Sequence, residues 1–319
     1  MDDILYPASS PFNAGMLVVD DVHSIYYEEF GNKSGIPIVY LHGGPGFGAS
    51  PYFHRFFDPA AFRIVVYDQR GAPRSNRPGE TKNNSPELLV VDNDKLRQHL
   101  GIDKWHVYGG SWGSALSLLY AIAHPDKVLS LTLRGVWTMR RSELDWYFRG
   151  VRAIMPDAYA EWQGFLPPEE RDNMIKAYHD RLMNPDPAVH QPAADAFMRY
   201  ALCAGALAMP DETAQKMEPQ KVLSGMRIAM HFMHNHYPTD AVWQGADKIR
   251  HIPTMIVQGR YDALTPAVTA YELSQKMDDC SLEIVVAGHS AVDPAIMRGL
   301  VAATNRIRDK GSPVLRKAA

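Results

Sequence analysis

Short, nearly unbroken apolar runs alternate with segments of helical period along most of the chain, and the alternation breaks once. Residues 16–19 and 24–28 flank Asp20-Asp21 and predict a hairpin, because a polar pair between two extended runs favours a tight turn. Residues 38–41 form a third run ending at His42-Gly43-Gly44-Pro45-Gly46, and residues 62–67 a fourth ending at Asp68-Gln69-Arg70-Gly71. A helix over 87–100, a strand over 105–108, a helix over 114–123 and a strand over 128–133 follow. The pattern resumes with a strand over 254–258, a helix over 266–277, a strand over 282–286 and a last helix over 294–308. Runs that are apolar at successive positions, rather than at every second one, belong to strands covered on both faces. Eight such strands interleaved with helices predict an α/β fold on a mostly parallel sheet.

The break, residues 138–240, holds no strand-like run and is rich in helix formers, methionine and aromatics. Pro156, Pro167, Pro168, Pro185, Pro187, Pro192 and Pro210 punctuate it. It reads as a helical cap inserted into a core made of residues 1–137 and 241–319. The final residues, 311–319, are expected to fray. With 319 residues, 46% of them hydrophobic, the chain can bury a large core. A net charge of -3 and the absence of a long basic run argue against nucleic acid or an anionic membrane as partner and leave a small molecule or short peptide. No secretory pattern opens the chain and no window is apolar for the roughly 18 residues a membrane span needs, so a cytoplasmic protein is expected. Cys203 and Cys280 make neither a zinc spacing nor a disulfide framework.

The run over 105–108 leads into Gly109-Gly110-Ser111-Trp112-Gly113 and then a helix. A serine squeezed between strand and helix sits on a strained turn that lifts its hydroxyl into the open, and the positions two before and two after it must lack bulk. Open parallel sheets carry their sites at the carboxyl ends of the strands. Asp262 follows the seventh run in Gln258-Gly259-Arg260-Tyr261-Asp262, and His289 follows the eighth in Ala287-Gly288-His289-Ser290. Asp247, Asp278, Asp279 and Asp293 are rivals for the acid, but Asp262 alone sits directly after the seventh run. The order Ser111, Asp262, His289 suits a nucleophile, an acid that fixes the imidazole tautomer, and a general base. Two amides aimed at a tetrahedral oxyanion are also needed, and Gly44 and Trp112 are placed to give them. His42, Asp68, Gln69 and Arg70 read as a buried, hydrogen-bonded turn beside the serine.

The segments quoted above, together with Leu133-Arg134-Gly135, Glu143-Leu144-Asp145-Trp146, Ile252-Pro253 and Gly288-His289-Ser290-Ala291, resemble the prolyl aminopeptidases (proline iminopeptidases), a branch of the α/β-hydrolases. The resemblance implies an eight-stranded core, a helical cap, no metal or other cofactor, and a Ser111, Asp262, His289 triad. It also implies two cap glutamates that hold the substrate's free amino group, one in a Trp-x-x-Trp-Glu-Gly stretch and one before Asn-His-Tyr. The matching stretches are Phe197-Met198-Arg199-Tyr200-Ala201-Leu202 and His234-Asn235-His236-Tyr237, so Ala201 and His234 stand where the glutamates belong. Gly43, Phe197, Tyr200, Ala201 and His234 are the substrate-binding candidates. Met198, Met209, Met226, Met230, Met233 and Phe232 either line an apolar pocket or simply pack. The expected activity is cleavage of an amide, peptide or ester bond through an acyl-enzyme on Ser111. One branch keeps aminopeptidase action with Glu143, Asp145 or Asp211 replacing the glutamates; another is an esterase, amidase or lactonase for uncharged molecules. A non-catalytic binding protein on the same fold is the reading from a different class.

Overall fold

A computed structural model describes residues 3–207 and 217–314. One sheet of eight strands organises the chain, in the order β1-β2-β4-β3-β5-β6-β7-β8. These are β1 (Asn13–Val18), β2 (Ser24–Gly31), β3 (Ile36–Leu41), β4 (Phe62–Tyr67), β5 (Trp105–Gly110), β6 (Val128–Arg134), β7 (Thr254–Gly259) and β8 (Cys280–Val285). β2 pairs antiparallel with β1 and with β4, and the remaining pairs are parallel. β3 and β5 show why the runs read as continuous. In β3, Val39 and Leu41 enter one core cluster while Ile38 and Tyr40 enter the cluster on the opposite face, and in β5 Val107 and Tyr108 divide the same way.

Helices α1 (Pro86–His99), α2 (Trp112–Ala123) and α9 (Ala267–Lys276) bury their apolar stripes in the first cluster. The second is covered by α10 (Pro294–Lys310) through Ile296, Met297, Leu300, Ala303 and Ile307, and by Phe53 and Phe56 from a short 3-10 turn. Local signals fix the ends of these helices. Ser85 caps α1 by accepting from the Leu88 amide with Pro86 in the first turn, and α10 stops at Gly311, which takes the left-handed conformation that glycine adopts without penalty.

Between β6 and β7 the chain forms α3 (Arg141–Phe148), α4 (Pro156–Gly164), α5 (Met174–Met183), α6 (Pro187–Gly205) and α7 (Pro219–Asn235), followed by the short α8 (Ala241–Gly245). Pro156, Pro187 and Pro219 stand in the first turns of their helices, where a missing N–H costs nothing. Pro192, read as punctuation, lies inside α6 instead; it falls in the second turn and forfeits only a bond near the helix start. Pro210 lies outside the described residues. Among the described residues no helix is long and apolar enough to cross a membrane. β1 begins three residues before the predicted run, because Asn13, Ala14 and Gly15 pair with β2 through their backbones while facing solvent on an edge strand.

Candidate active site

β5 ends at Gly110 and α2 starts at Trp112, leaving Ser111 alone to turn the chain. Its backbone adopts φ 58°, ψ -126°, a conformation that costs a non-glycine residue on the order of 1–3 kcal/mol and persists only where the surroundings impose it. The neighbours impose it by crowding. A Cβ on Gly113 would fall 2.0 Å from the Leu41 carbonyl oxygen, and one on Gly109 would fall 2.2 Å from the Gly113 carbonyl oxygen. The turn is therefore pressed against the end of β3, which carries the glycine run.

The Ser111 hydroxyl lies 2.9 Å from His289 Nε2, and His289 Nδ1 lies 2.8 Å from Asp262 Oδ2. Asp262, and not Asp247, Asp278, Asp279 or Asp293, thus meets the imidazole. Asp278 is paired with Arg250 instead, and Asp293 accepts from the Gly288 amide. Asp262 is buried, and burial alone would raise its pKa. The His289 ring, with the Thr265 amide and hydroxyl, outweighs this and holds the carboxyl below its ordinary value. Asp262 Oδ2 accepts from Thr265 Oγ1 at 2.8 Å and Gln258 Nε2 at 3.1 Å, and Oδ1 accepts from the amides of Leu264 at 3.0 Å and Thr265 at 2.8 Å. The His289 carbonyl accepts from Arg134 Nη1 at 2.6 Å, which ties the loop after β8 to the end of β6. Sequence reasoning missed Thr265, Gln258 and Arg134; their positions at or just past strand ends were the only signal available.

Beside Ser111 lies a cavity of about 140 Å³. Gly44, Pro45, Phe47 and Trp112 close it from the core side, and Thr265 and Leu264 from the loop after β7. From the cap come Tyr147 of α3, Phe197 and Ala201 of α6, and Met226, Ala229 and Met233 of α7. Among the described residues no lining side chain carries a charge. Trp112 opens α2, so its amide belongs to the helix-start N–H groups that have no intrahelical acceptor. Its indole donates to Gln69 Oε1 at 2.8 Å; the Gln69 amide in turn donates to His42 Nε2 at 3.0 Å. Arg70 is clamped by Asp92 and Asp20, and Asp68 pairs with Arg74. This buried network supports the Ser111 turn from behind.

Other predicted site residues fall elsewhere. Gly43 packs against the elbow, a Cβ there falling 2.7 Å from the Gly110 carbonyl oxygen, and does not face the cavity. Tyr200 is buried behind it, stacked on Trp162 at 3.9 Å with its hydroxyl donated to the Tyr147 carbonyl at 2.6 Å. His234 is exposed and stacks on His179 at 4.1 Å; one residue along α7 is a 100° turn, so Met233 faces the cavity and His234 faces out. Glu143 spends its carboxylate on the Thr138 amide and hydroxyl and the Arg140 amide, and Asp145 pairs with Arg141 at the surface, so neither replaces a pocket glutamate. Asp211 and Met209 lie outside the described residues. Of the other pocket candidates, Met230 and Phe232 are fully buried in packing and Met198 packs at its margin.

Residues 36–184 match the alpha/beta hydrolase fold family. Proline iminopeptidase from Arabidopsis thaliana is 43% identical over 311 residues, covering 95% of this chain and 82% of its own. A probable proline iminopeptidase from Leptolyngbya boryana is 42% identical, covering 95% and 96%. The chain belongs to the proline iminopeptidase family. It is accordingly a serine hydrolase of that type. Solved structures agree on the fold: an esterase from Rhodococcus sp. ECU1013 superposes with a TM-score of 0.62 at 18% identity, covering 94% of this chain and 99% of its own. An alpha/beta hydrolase from a Medee basin deep-sea metagenome library gives 0.61 at 17% identity, covering 96% and 100%. The cavity presents the methyl group of Ala201, whereas the His234 side chain is turned away from it.

Proposed function

We propose that the enzyme cleaves ester or amide bonds whose acyl part is small, apolar and uncharged, through an acyl-enzyme on Ser111. The observation that carries this reading is the lining of the cavity beside Ser111, which is neutral throughout among the described residues and has Ala201 on its wall. Ser111 Oγ attacks the scissile carbonyl while His289 Nε2, at 2.9 Å, takes its proton. The amides of Trp112 and Gly44 donate to the oxyanion, and Asp262 keeps the imidazole in the tautomer whose Nε2 is free to accept. The same imidazole then protonates the leaving group, and after that group departs it activates water to release the acid.

An N-terminal prolyl substrate would carry an ammonium into this cavity. A buried charge without a partner costs several kcal/mol, which removes a factor of about a thousand or more in affinity. The second reading, release of N-terminal proline, is favoured by the identity to proline iminopeptidases over nearly the whole chain. Hydrolysis of proline 4-nitroanilide and 4-nitrophenyl acetate by wild type and Ser111→Ala separates the two. Ser111-dependent release from the ester alone supports an uncharged acyl group. Ser111-dependent release from the anilide at comparable kcat/KM restores the aminopeptidase, and turnover of neither leaves the choice between a very selective enzyme and a binding protein.

A further inference from the structure

We propose that a second hollow, on the outer side of α3, binds a small polyanion through arginine. Arg141, Leu144, Asp145 and Phe148 of α3 face it, an i, i+3, i+4, i+7 stripe, while Tyr147 of the same helix turns to the hydrolytic cavity. The hollow measures about 640 Å³, within the range of small-molecule sites, and has a floor of Phe148, Tyr159 and Met174. Four guanidiniums line it, from Arg141, Arg149, Arg152 and Arg171, against the two carboxylates of Asp145 and Asp172.

The imbalance is local, because the whole chain has a net charge of -3. Arg141 is paired with Asp145 at 3.2 Å. Among the described residues Arg149, Arg152 and Arg171 have no ion pair, whereas Arg63, Arg74, Arg97, Arg250 and Arg308 each hold a carboxylate. Arg149 Nη2 donates to the Asp172 carbonyl at 3.2 Å and Arg171 Nε to the Leu166 carbonyl at 2.9 Å. Such bonds fix the direction of a guanidinium without neutralising it, and leave its remaining N–H groups for another acceptor. Burial raises the Tyr159 phenol, and Arg152 and Arg149 both pull against that rise, which places the two cations near one wall of the hollow. Planar guanidinium forks match phosphate and carboxylate oxygens in pairs, so the ligand class is a compact molecule with two or more anionic groups.

Isothermal titration of the full chain with sodium pyrophosphate and, separately, with citrate tests this at low salt. Saturable binding of either is expected, weakened at least tenfold in the Arg149→Ala, Arg152→Ala double variant and unchanged in Arg199→Ala, whose side chain pairs with Glu161 elsewhere on the cap. Preference between the two probes assigns phosphate or carboxylate. The double variant should hydrolyse its ester substrate as wild type does, which shows that it is folded. Absence of saturable binding to both probes, equal affinity in wild type and double variant, or equal weakening in Arg199→Ala would each overturn the site.

Discussion

The Thr265 hydroxyl donates to Asp262 Oδ2 at 2.8 Å and lies 3.1 Å from His289 Nδ1, so it braces the carboxylate that orients the imidazole. Thr265→Val keeps the shape and removes the donor. A hydrogen bond to a charged group contributes about 1.5–3 kcal/mol, so kcat/KM on the ester should fall roughly ten- to a hundredfold. The carboxyl then also loses a group that holds its pKa down. Thr265→Ser, which keeps the hydroxyl, should restore the rate; an equally low rate in Thr265→Ser would mean that Thr265 only packs. Ala201 is the complementary position, where the cavity wall carries only a methyl group. Ala201→Glu puts a carboxylate into the neutral cavity and should raise kcat/KM for proline 4-nitroanilide at least tenfold relative to the ester. No gain over wild type would show that the cavity wall at Ala201 does not choose the substrate.

Strands β5 and β6 meet in the middle of the sheet, and His106 of β5 reaches across to Ser130 Oγ at 2.7 Å. Burial pushes the His106 ring down from its usual 6.5 to about 4. The folded state therefore holds it neutral where the unfolded chain would protonate it. Its contribution is fully present above about pH 6.5 and is lost as pH falls toward 4, up to roughly 3 kcal/mol in all. Urea unfolding at pH 7 and pH 4.5 should show wild type losing about 2 to 3 kcal/mol more stability than His106→Gln, which cannot titrate; parallel losses would remove His106 from the account. At this scale the sequence was most readable, because doubly covered strands write their burial into consecutive apolar residues and Ser111, Asp262 and His289 follow directly from strand ends. It was least readable where a fact depends on rotation or pairing. Asn13 to Gly15 join the sheet through backbone alone, and nothing local says which of Met233 and His234 faces inward. Tyr200 is a pocket candidate through the stretch that matches Trp-x-x-Trp-Glu-Gly, but Trp162 takes up that ring.

The cap and the core are joined by one hydrophobic cluster. Leu41 and Val107 of the sheet belong to the same contiguous core as Tyr147, Trp162, Phe197 and Met226 of the cap. α7 lies against the loop after β3 so closely that a Cβ on Gly46 would come within 2.7 Å of the Ile228 side chain, and one on Gly225 within 2.4 Å of Phe47. Arg140, at the start of the cap, pairs with Glu272 of α9 at 2.8 Å and lies over Trp243 at 4.2 Å. A chain of 319 residues with an inserted unit would ordinarily unfold in parts. Continuous packing across the junction opposes this, since releasing the cap would expose Phe47, Trp112 and the apolar face of α7 together. The expected result is one transition in urea, with loss of esterase activity, loss of helical circular dichroism and hydrogen exchange of the α6 and β5 amides sharing a midpoint. Exchange in α6 at a urea concentration where β5 stays protected would instead show that the cap opens by itself. The hydrolytic cavity would then be a closed state of a mobile lid, and the neutral lining around Ser111 would describe only that state.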